Sequence, residues 1–476
     1  MNKYTKIVAT ISDQRCEVDF VRDLFKAGMN VVRMNTAHLD YEGLDRIVNN
    51  VRQVSDTIAL LIDTKGPEIR TTVSDDNITL SSGQSVVITG SPSEKSTKDR
   101  ICVSYEKMAE DVSIGSHILF DDGEISLLVK DRKGNDLICE VLNNGVLGSR
   151  KSVNVPGVRI NLPSLTQKDL LNIDYAIEND IDFIAHSFVR NAQDVKEIQD
   201  LLDAKNSKVK IIAKIENQEG VENIDEILEV VHGVMVARGD LGIEIPQEKI
   251  PLVQRQLIRK CVEAKKPVIV ATQMLHSMIK NPRPTRAEVT DVANAIYYRT
   301  DAVMLSGETA YGDYAVEAVT TMSKIAAEVE AAKDSRNDIP VDVVKHDITA
   351  YLADTAVKAS KELNIKAVLT DSLTGKTARY LAAFRGNMPV VALCYNKRVG
   401  RELALSYGVF PHLTESGSSK SEIIHNSLMK LKEREVLGDD DLVAYLGGSF
   451  GIGGGTTYLE IITVEGLLNK IDRYVD

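Results

Sequence analysis

The stretch that decides the fold reads VKIIAKIENQEG at residues 209–220 and continues, after a helical spacer, as GVMVARGDLGIEIP at residues 233–246. Both apolar runs predict buried parallel strands. Lys214 and Glu216 interrupt the first run two residues apart, so both side chains point to the same face. The second run leads directly into Gly239 and Asp240. We therefore expect a lysine and two carboxylates at the C-terminal ends of neighbouring strands.

These three charged side chains favour a metal-assisted site. Buried charges are costly unless they are paired or bound to a cation. Glu216 and Asp240 offer hard oxygen ligands suited to Mg²⁺ or Mn²⁺, with water and substrate oxygens completing the shell. Lys214 would supply positive charge where an oxyanion develops. The alternative is a structural Lys-Glu pair inside a barrel, but the addition of Asp240 at a strand end favours the functional interpretation.

Length and composition narrow the class of protein. The chain has 476 residues, enough for two to four domains, and a formal net charge of −12, which argues against nucleic-acid binding. Its five cysteines are scattered without ligand spacing and predict reduced thiols in a cytoplasmic protein. The N-terminal sequence lacks the apolar core of a signal peptide, and no apolar run reaches transmembrane length, so we expect no membrane association.

A strand-helix rhythm runs through the first two thirds of the chain and predicts a (β/α)₈ barrel. The eight strand candidates are TKIVATI, NVVRMN, IALLID, DFIAHSF, KIIAKIE, GVMVAR, PVIVAT and AVMLSG. Polar residues cluster where such strands end, which is where these barrels carry out chemistry. They are Arg33, Asn35, Asp63, Lys65, Ser187, Arg190, Lys214, Glu216, Asp240, Thr272, Ser306 and Glu308.

Two further domains are predicted. Short alternating segments separated by turn residues, over residues 71–156, indicate a small β domain inserted after the third barrel strand, where it can close over the site as a lid. The barrel then comprises residues 1–70 and 157–335. After a polar linker, residues 345–476 alternate helices and strands and predict a three-layer α/β domain.

One loop of this last domain has the composition of a phosphate site. The segment TDSLTGKTAR, residues 370–379, places hydroxyls, a glycine and a lysine at a helix N-terminus, which can hold a phosphate. An ordinary helix cap with a solvated lysine explains the same residues, and the sequence leaves both interpretations open. The candidate effector residues are Thr370, Ser372, Thr374, Gly375, Lys376 and Thr377.

With these residues assembled, the chain resembles the pyruvate kinase family. The resemblance rests on DTKGPEIRT (63–71), KIENQEG (214–220), VARGDLGIEIP (236–246), ATQML (271–275), NPRPTRAEVTDVANAI (281–296) and MLSGETA (304–310). It implies transfer of a phosphoryl group from phosphoenolpyruvate to ADP, giving pyruvate and ATP in the last step of glycolysis. It also implies a homotetramer, a flexible lid and a C-terminal domain that often binds a sugar-phosphate effector.

The resemblance also implies roles for individual residues. Glu216 and Asp240 match the ligands of the divalent metal, and Lys214 matches the lysine that stabilises the transferring phosphoryl group and the enolate. Arg33 matches the arginine that grips the substrate phosphate, as a guanidinium fork suits phosphoryl oxygens. The backbone around Gly239 and Asp240 would hold the substrate carboxylate. Thr272 and Ser306 match the proton-delivery network, with Thr272 beside the enolate carbon.

Nucleotide and potassium sites follow from the same resemblance. The nucleotide-contacting positions are Asn35, His38, Arg70 and Lys151, although the lid residues among them also fit ordinary surface charges. The potassium ligands are Asn35, Asp63 and Thr64, with a fourth position usually occupied by serine. That position is Ala37 here, so one oxygen must come from water or from Thr36. Glu68 indicates that potassium is still needed, because family members that dispense with it tend to carry a lysine there.

Two other functions compete with this interpretation. A barrel lyase or aldolase acting on a phosphoenolpyruvate-like acid would share the lysine and the metal carboxylates, but it would need neither the β insertion nor the third domain. A non-catalytic metabolite sensor would be expected to have lost Lys214, Glu216 or Asp240, and all three are present. Among departures from the family pattern, His186 and His276 could add behaviour linked to protonation near neutral pH, but we favour histidines that are satisfied by backbone partners.

Overall fold

The computed structural model describes residues 3–37, 39–332, 339, 347–413, 420–448 and 455–472, so the predicted nucleotide contact His38 lies outside the described residues. The chain begins with two strand-helix units and a third strand: β1 Lys6–Thr10, α1 Val18–Ala27, β2 Val31–Asn35, α2 Tyr41–Val54 and β3 Ala59–Asp63. Helix α1 ends at Gly28, whose φ of 117° lets its N–H reach the carbonyls of Leu24 and Phe25. Such a left-handed cap favours glycine.

The inserted β domain follows β3 directly. Its elements are β4 Ile69–Arg70, β5 Ile78–Leu80, β6 Ser85–Gly90, β7 Arg100–Val103, α3 Met108–Asp111, β8 His117–Phe120, β9 Ile125–Lys133, β10 Asp136–Val141, β11 Gly145–Leu147 and β12 Ser152–Asn154. Seven strands pair in the order β4-β12-β8-β9-β10-β6-β7, and β11 pairs with β5. Alternate residues of β9 and β10 point inward, and the inserted domain has its own apolar core, which includes Leu80, Ile88 and Leu127. We call this domain the lid.

The remainder of the barrel alternates strands and helices. Its elements are α4 Gln167–Glu178, β13 Phe183–His186, α5 Ala192–Ala204, β14 Lys210–Ile215, α6 Gln218–Glu222, α7 Ile224–Val230, β15 Gly233–Ala237, α8 Arg238–Glu244, α9 Ile250–Glu263, β16 Val268–Ala271, α10 Arg286–Tyr297, β17 Ala302–Leu305, α11 Gly307–Ala310 and α12 Ala315–Ala331. Thr166 caps α4 in a reciprocal capping box with Asp169, as its sequence predicts.

The eight predicted strands close into one parallel barrel in the order β1-β17-β16-β15-β14-β13-β3-β2. Pairing of β1 with both β17 and β2 completes the ring. Side chains such as Val8, Phe183 and Met235 fill the interior and are fully buried. Because all eight strands are parallel, their C-terminal ends meet at one face, and the polar residues that follow them converge there.

The C-terminal domain is the predicted three-layer α/β unit. Its elements are α13 Ile348–Glu362, β18 Ala367–Ser372, α14 Lys376–Phe384, β19 Val390–Cys394, α15 Lys397–Glu402, β20 Val409–Leu413, α16 Lys420–Glu433, β21 Leu442–Gly447, β22 Tyr458–Thr463 and α17 Val464–Asp472. The sheet order is β20-β19-β18-β21-β22, with separate apolar clusters on its two faces. The sequence did not predict β20, whose Pro411 is tolerated because the strand lies at the sheet edge.

Buried ion pairs hold this domain against the barrel. Arg401 donates to Asp182 at 2.6 Å, and Arg385 donates to Asp301 at 3.0 Å. Asp182 and Asp301 precede β13 and β17, so these contacts lie at the N-terminal ends of the strands, opposite the face where the polar residues converge. Over the part of the chain that the structure describes, no helix is long and apolar enough to cross a membrane.

Candidate active site

Lys214 occupies the end of β14, where its ammonium group contacts three oxygen-bearing side chains. Its Nζ lies 2.9 Å from Oε1 of Glu216 and 3.4 Å from Oδ2 of Asp63, and it donates to Oγ of Ser187 at 2.8 Å. Burial works against the charge, but the carboxylates of Glu216 and Asp63 raise the pKa of Lys214 above its ordinary value. The ammonium therefore stays charged inside the barrel mouth.

Arg33 and Asp63 form a buried pair on the neighbouring strands β2 and β3. Nε of Arg33 donates to Oδ1 of Asp63 at 3.0 Å, Nη2 pairs with the second carboxylate oxygen, and Nη1 donates to Oγ1 of Thr10 at 3.1 Å. Burial opposes the Asp63 charge, yet Arg33 and Lys214 together hold the pKa of Asp63 below its usual range. Asp63 thus fixes the position of both cations.

Glu216 and Asp240 form a close pair of carboxylates beside Lys214. Glu216 is fully buried, and its Oε2 accepts the N–H of Phe188 at 2.8 Å. Asp240 lies in the first turn of α8, where burial and then the Glu216 charge raise the pKa of Asp240 to about 7. Such a pair fits a divalent cation, which would offset both charges. No group of three or more His, Cys, Asp or Glu side chains suited to a metal occurs within the described residues.

Thr272 follows β16 with a strained backbone. Its φ is 70°, in a region that β-branched residues rarely adopt. Its Oγ1 accepts the N–H of Gly239 at 2.8 Å, and its carbonyl accepts from Nη2 of Arg238 at 2.6 Å. Asp291 holds Arg238 in turn at 2.7 Å. Strain held in place by its surroundings in this way is typical of functional sites.

Ser306 presents an unused hydroxyl at the end of β17. Its Oγ is buried and, among the described residues, lacks a hydrogen-bond partner. Its backbone N–H donates to Oε2 of the buried Glu308 at 2.8 Å, and the other carboxylate oxygen of Glu308 accepts the N–H of Leu275 at 3.1 Å. Glu308 therefore fixes the loop, while the serine hydroxyl remains available to a ligand.

The loop after β2 is contacted by Lys168 of α4, a residue that the sequence analysis did not select. Asn35 Oδ1 accepts the N–H of Ala37 at 3.2 Å, and the buried Oγ1 of Thr36 donates to the carbonyl of Asp63 at 2.6 Å. Nζ of Lys168 donates to the carbonyl of Thr36 at 2.7 Å. The sequence did hold a signal for this residue: Lys168 lies in the first turn of α4, where acidic residues are favoured over basic ones. These contacts leave Thr36 already engaged with protein groups, so water is the simpler replacement for the serine oxygen at Ala37.

Thr64 and His186 lie beside this region. Ser187 donates its N–H to Oγ1 of Thr64 at 2.9 Å and its Oγ to the Thr64 carbonyl at 2.7 Å. Nδ1 of His186 lies 3.4 Å from Oγ1 of Thr64. Burial lowers the pKa of His186 to about 4. His186 is therefore neutral at physiological pH, which favours the structural interpretation of this histidine over a titrating one.

The lid residues form ion pairs at the rim. Nε of Arg70 donates to Oε2 of Glu68 at 2.7 Å, and Nζ of Lys151 lies 2.8 Å from Oδ2 of Asp121. A cavity of about 730 Å³ separates the lid from the barrel. Arg70 and Asp240 contribute to its lining, so the cavity connects the lid with the candidate metal pair.

The candidate effector loop is held by contacts within its own domain. Ser372 Oγ accepts the N–H of Gly375 at 2.8 Å, and the hydroxyls of Thr377 and Thr456 lie 2.6 Å apart. Nζ of Lys376 donates to Asp347 at 3.1 Å. The positive φ of 75° at Gly375 explains the glycine. These contacts account for the loop as a helix start, and effector binding remains a prediction.

Comparison with known proteins decides the family. The model described as "Pyruvate kinase, barrel domain" matches residues 2–319, and the one described as "Pyruvate kinase, alpha/beta domain" matches residues 351–462. The chain belongs to the pyruvate kinase family. A pyruvate kinase of Borreliella burgdorferi is 46% identical over 472 residues, which cover 98% of each chain. That of Geobacillus stearothermophilus is 45% identical over 482 residues, covering 99% of this chain and 82% of the relative.

A solved structure supports the same family assignment. A crystal structure of a pyruvate kinase from Cryptosporidium parvum superposes with a TM-score of 0.91 at 36% identity, covering 97% of this chain and 96% of the other. The enzyme is therefore a phosphotransferase of glycolysis that acts on phosphoenolpyruvate and ADP and gives pyruvate and ATP. This excludes the lyase and sensor interpretations of the sequence.

Proposed function

We propose that this pyruvate kinase carries out phosphoryl transfer around Lys214, Glu216 and Asp240. The observation that carries the proposal is the buried pair of carboxylates, which raises the pKa of Asp240 to about 7, with the Lys214 ammonium 2.9 Å from Glu216. Glu216 and Asp240 would hold Mg²⁺ or Mn²⁺. When bound, that cation supplies positive charge to the phosphoryl and carboxylate oxygens of phosphoenolpyruvate.

The two buried cations have separate tasks. Arg33 grips the substrate phosphate through its guanidinium fork, and Lys214 stabilises the transferring phosphoryl group and the enolate that remains. Both are held by Asp63, whose contacts with them fix their positions before substrate arrives. Such preorganisation reduces the reorganisation needed during the reaction.

The enolate must gain a proton at carbon to become pyruvate. Thr272 and Ser306 are the groups proposed for this proton delivery, because both carry a hydroxyl and that of Ser306 is buried without a partner among the described residues. The backbone at Gly239 and Asp240 would hold the substrate carboxylate, with the Gly239 N–H already oriented by Thr272.

ADP is proposed to bind between the loop after β2 and the lid. Asn35, Arg70 and Lys151 are the predicted contacts within the described residues. We add Lys168, because its ammonium reaches the carbonyl of Thr36 next to Asn35 and offers positive charge to nucleotide phosphates. Lys151 is paired with Asp121, so it would have to exchange that partner for a phosphate.

Potassium is proposed to bind at Asn35, Asp63 and Thr64. Glu68 supports the dependence, since it is an anion paired with Arg70 and cannot replace a monovalent cation. The Ala37 side chain offers no oxygen at the fourth position, and the hydroxyl of Thr36 is engaged with the carbonyl of Asp63. We therefore propose activation by K⁺ with reduced affinity, a water replacing the missing ligand.

Several properties of the whole chain are proposed as well. We place the domain limits at residues 1–70 and 157–335 for the barrel, 71–156 for the lid and 345–476 for the C-terminal domain. All five cysteines are buried thiols outside any disulfide bond, which supports a cytoplasmic location. Exposed apolar side chains at Leu252 and Tyr311 offer surface for association into a homotetramer. Light scattering coupled to size exclusion tests the oligomeric state.

The effector proposal has its own experiment. If a sugar phosphate binds at residues 370–377, Lys376→Glu erases its activation without changing the saturated rate, whereas Lys358→Glu on α13 leaves the activation intact. Persistence of activation in Lys376→Glu, or the absence of a response to any sugar phosphate, supports the helix-cap interpretation instead.

The metal assignment is tested by direct binding. Asp240→Asn removes one carboxylate, so Mn²⁺ titration followed by electron paramagnetic resonance should show affinity reduced by at least one to two orders of magnitude, about the loss that follows when only a hydrogen-bond partner of a metal ligand is removed. Glu248→Gln, an exposed carboxylate on the same stretch, serves as the control and should bind like the wild type. Unchanged binding by Asp240→Asn refutes the assignment.

A further inference from the structure

We propose that Glu244 and Asn154 form a positioning pair that sets the orientation of the lid over the barrel for ADP binding. Nδ2 of Asn154, at the end of β12, donates to Oε1 of Glu244, at the end of α8, over 3.5 Å. The pair rests on the proposed site, because Asp240 lies on the same helix. It touches no reacting atom and acts through the elements that it joins.

The geometry connects this pair to the rest of the site. Glu244 follows Asp240 by four residues on α8, so both carboxylates lie on the same side of the helix. Asn154 follows Ser152 by two residues on β12, so both side chains share one face of the strand. Ser152 in turn donates to Asp122 at 2.7 Å. The cavity between lid and barrel is lined by all five of these residues, so α8 and β12 face each other across it. They are Asp122, Ser152, Asn154, Asp240 and Glu244.

The pair is also a polar tether between the two domains. Among the described residues it is the only hydrogen bond between two side chains that joins residues 71–156 to the barrel; the others involve a backbone group, such as the N–H of Asn161, which donates to Oδ2 of Asp111 at 3.3 Å. The contact is long for a hydrogen bond, and Oδ1 of Asn154 is buried without a partner among the described residues. Burial raises the pKa of Glu244, and the contact with Asn154 opposes that shift. Buried polar groups that are only partly satisfied call for an explanation, and a tether that shortens as the lid closes supplies one.

This arrangement predicts a specific kinetic effect. Since the proposed nucleotide contacts are divided between lid and barrel, whereas the phosphoenolpyruvate contacts all lie on the barrel, loosening the tether should raise the KM for ADP and leave the KM for phosphoenolpyruvate unchanged. A general loss of structure would affect both substrates and the thermal stability together.

A double-mutant cycle on the full-length enzyme tests the proposal. Glu244→Ala and Asn154→Ala are each expected to raise the KM for ADP about three- to tenfold, the effect of one lost hydrogen bond. The double variant should show no further increase, because both changes remove the same contact. Glu244→Gln should behave like the wild type, since its amide oxygen still accepts from Asn154. The matched control is Glu248→Ala, an exposed carboxylate four residues further on.

Independent effects that multiply in the double variant would overturn the proposal, as would an equal loss in Glu244→Gln or an equal rise in the KM for phosphoenolpyruvate. If Glu244→Ala does not fold by circular dichroism, Asn154→Ala decides, and an unchanged KM for ADP in that variant refutes the tether. Mn²⁺ titration of Asp240→Asn reports separately on the metal assignment. Failure of that assignment and failure of the tether therefore give different results.

Discussion

At the scale of single residues, the Asp240 carboxylate combines a proposed metal-ligand position with a pKa close to physiological pH. Burial and the neighbouring Glu216 charge raise its pKa to about 7 in the metal-free protein. Between pH about 4, where the unfolded chain loses this proton, and pH about 7, the folded protein still holds it. Its contribution to the stability of the metal-free protein therefore declines as pH rises through that window.

The same shift predicts proton release on metal binding. At pH 6 most Asp240 side chains are protonated, so Mn²⁺ binding should release about 0.9 proton, against about 0.1 at pH 8, because metal ligation requires the carboxylate. Isothermal titration calorimetry in two buffers with different ionisation enthalpies measures this number. Equal release at both pH values would show that Asp240 is already ionised at pH 6, or that it is not a ligand.

Ala37 gives a second prediction at this scale. Replacing it with serine restores the missing potassium ligand, so half-saturation by K⁺ should fall several-fold, which corresponds to about 1 kcal/mol for one neutral oxygen. The measurement is rate against K⁺ concentration at constant ionic strength. Full activity of the wild type without any monovalent cation would refute the dependence, and unchanged half-saturation in Ala37→Ser would mean that another oxygen already fills the position.

At the scale of elements, the lid is built as a separate unit. It has its own apolar core, and none of the eight barrel strands lies within residues 71–156. Antiparallel pairing of β4 with β12 brings the two chain segments that connect the insertion to the barrel side by side, so a short Gly-Ser linker can replace these residues. The barrel should then fold and bind Mn²⁺, while pyruvate formation is abolished. Circular dichroism and a coupled assay check this, and activity near the wild-type level would show that the insertion is not a lid.

The elements also show which features are readable from sequence. Strands buried on both faces are continuous apolar runs, so all eight barrel strands were predicted together with the polar residues at their ends. Edge strand β20 was missed because Pro411 argues against a strand when its place in the sheet is unknown. Lys168 was missed because its contact with Thr36 joins positions 132 residues apart. The strain at Thr272 is a property of the packed backbone, which the sequence pattern does not encode.

At the scale of the whole molecule, the C-terminal domain depends on buried ion pairs with the barrel. Arg401→Ala leaves Asp182 buried with weaker partners, Arg52 at 3.4 Å and the N–H of Leu60 at 2.8 Å. We expect a loss of about 3 kcal/mol, at the low end for a broken buried pair. Urea unfolding followed by circular dichroism measures it.

The control for this prediction lies on the same helix. Lys397 also reaches the barrel, pairing with Asp56 at 2.7 Å, but both side chains are exposed. Lys397→Ala should therefore cost no more than about 1 kcal/mol. Equal stability of the two variants would contradict a structural role for the buried pair.

The most direct test of the proposed centre is the turnover number of Lys214→Met at saturating phosphoenolpyruvate, ADP, Mg²⁺ and K⁺. Methionine keeps much of the side-chain volume and removes the charge that contacts Glu216 and Asp63. Loss of one preorganised electrostatic group commonly costs about 10²- to 10³-fold in rate, so turnover should fall by that factor while Mn²⁺ still binds. Turnover near the wild-type value would contradict the assignment of Lys214 and, with it, the location of the phosphoryl-transfer site.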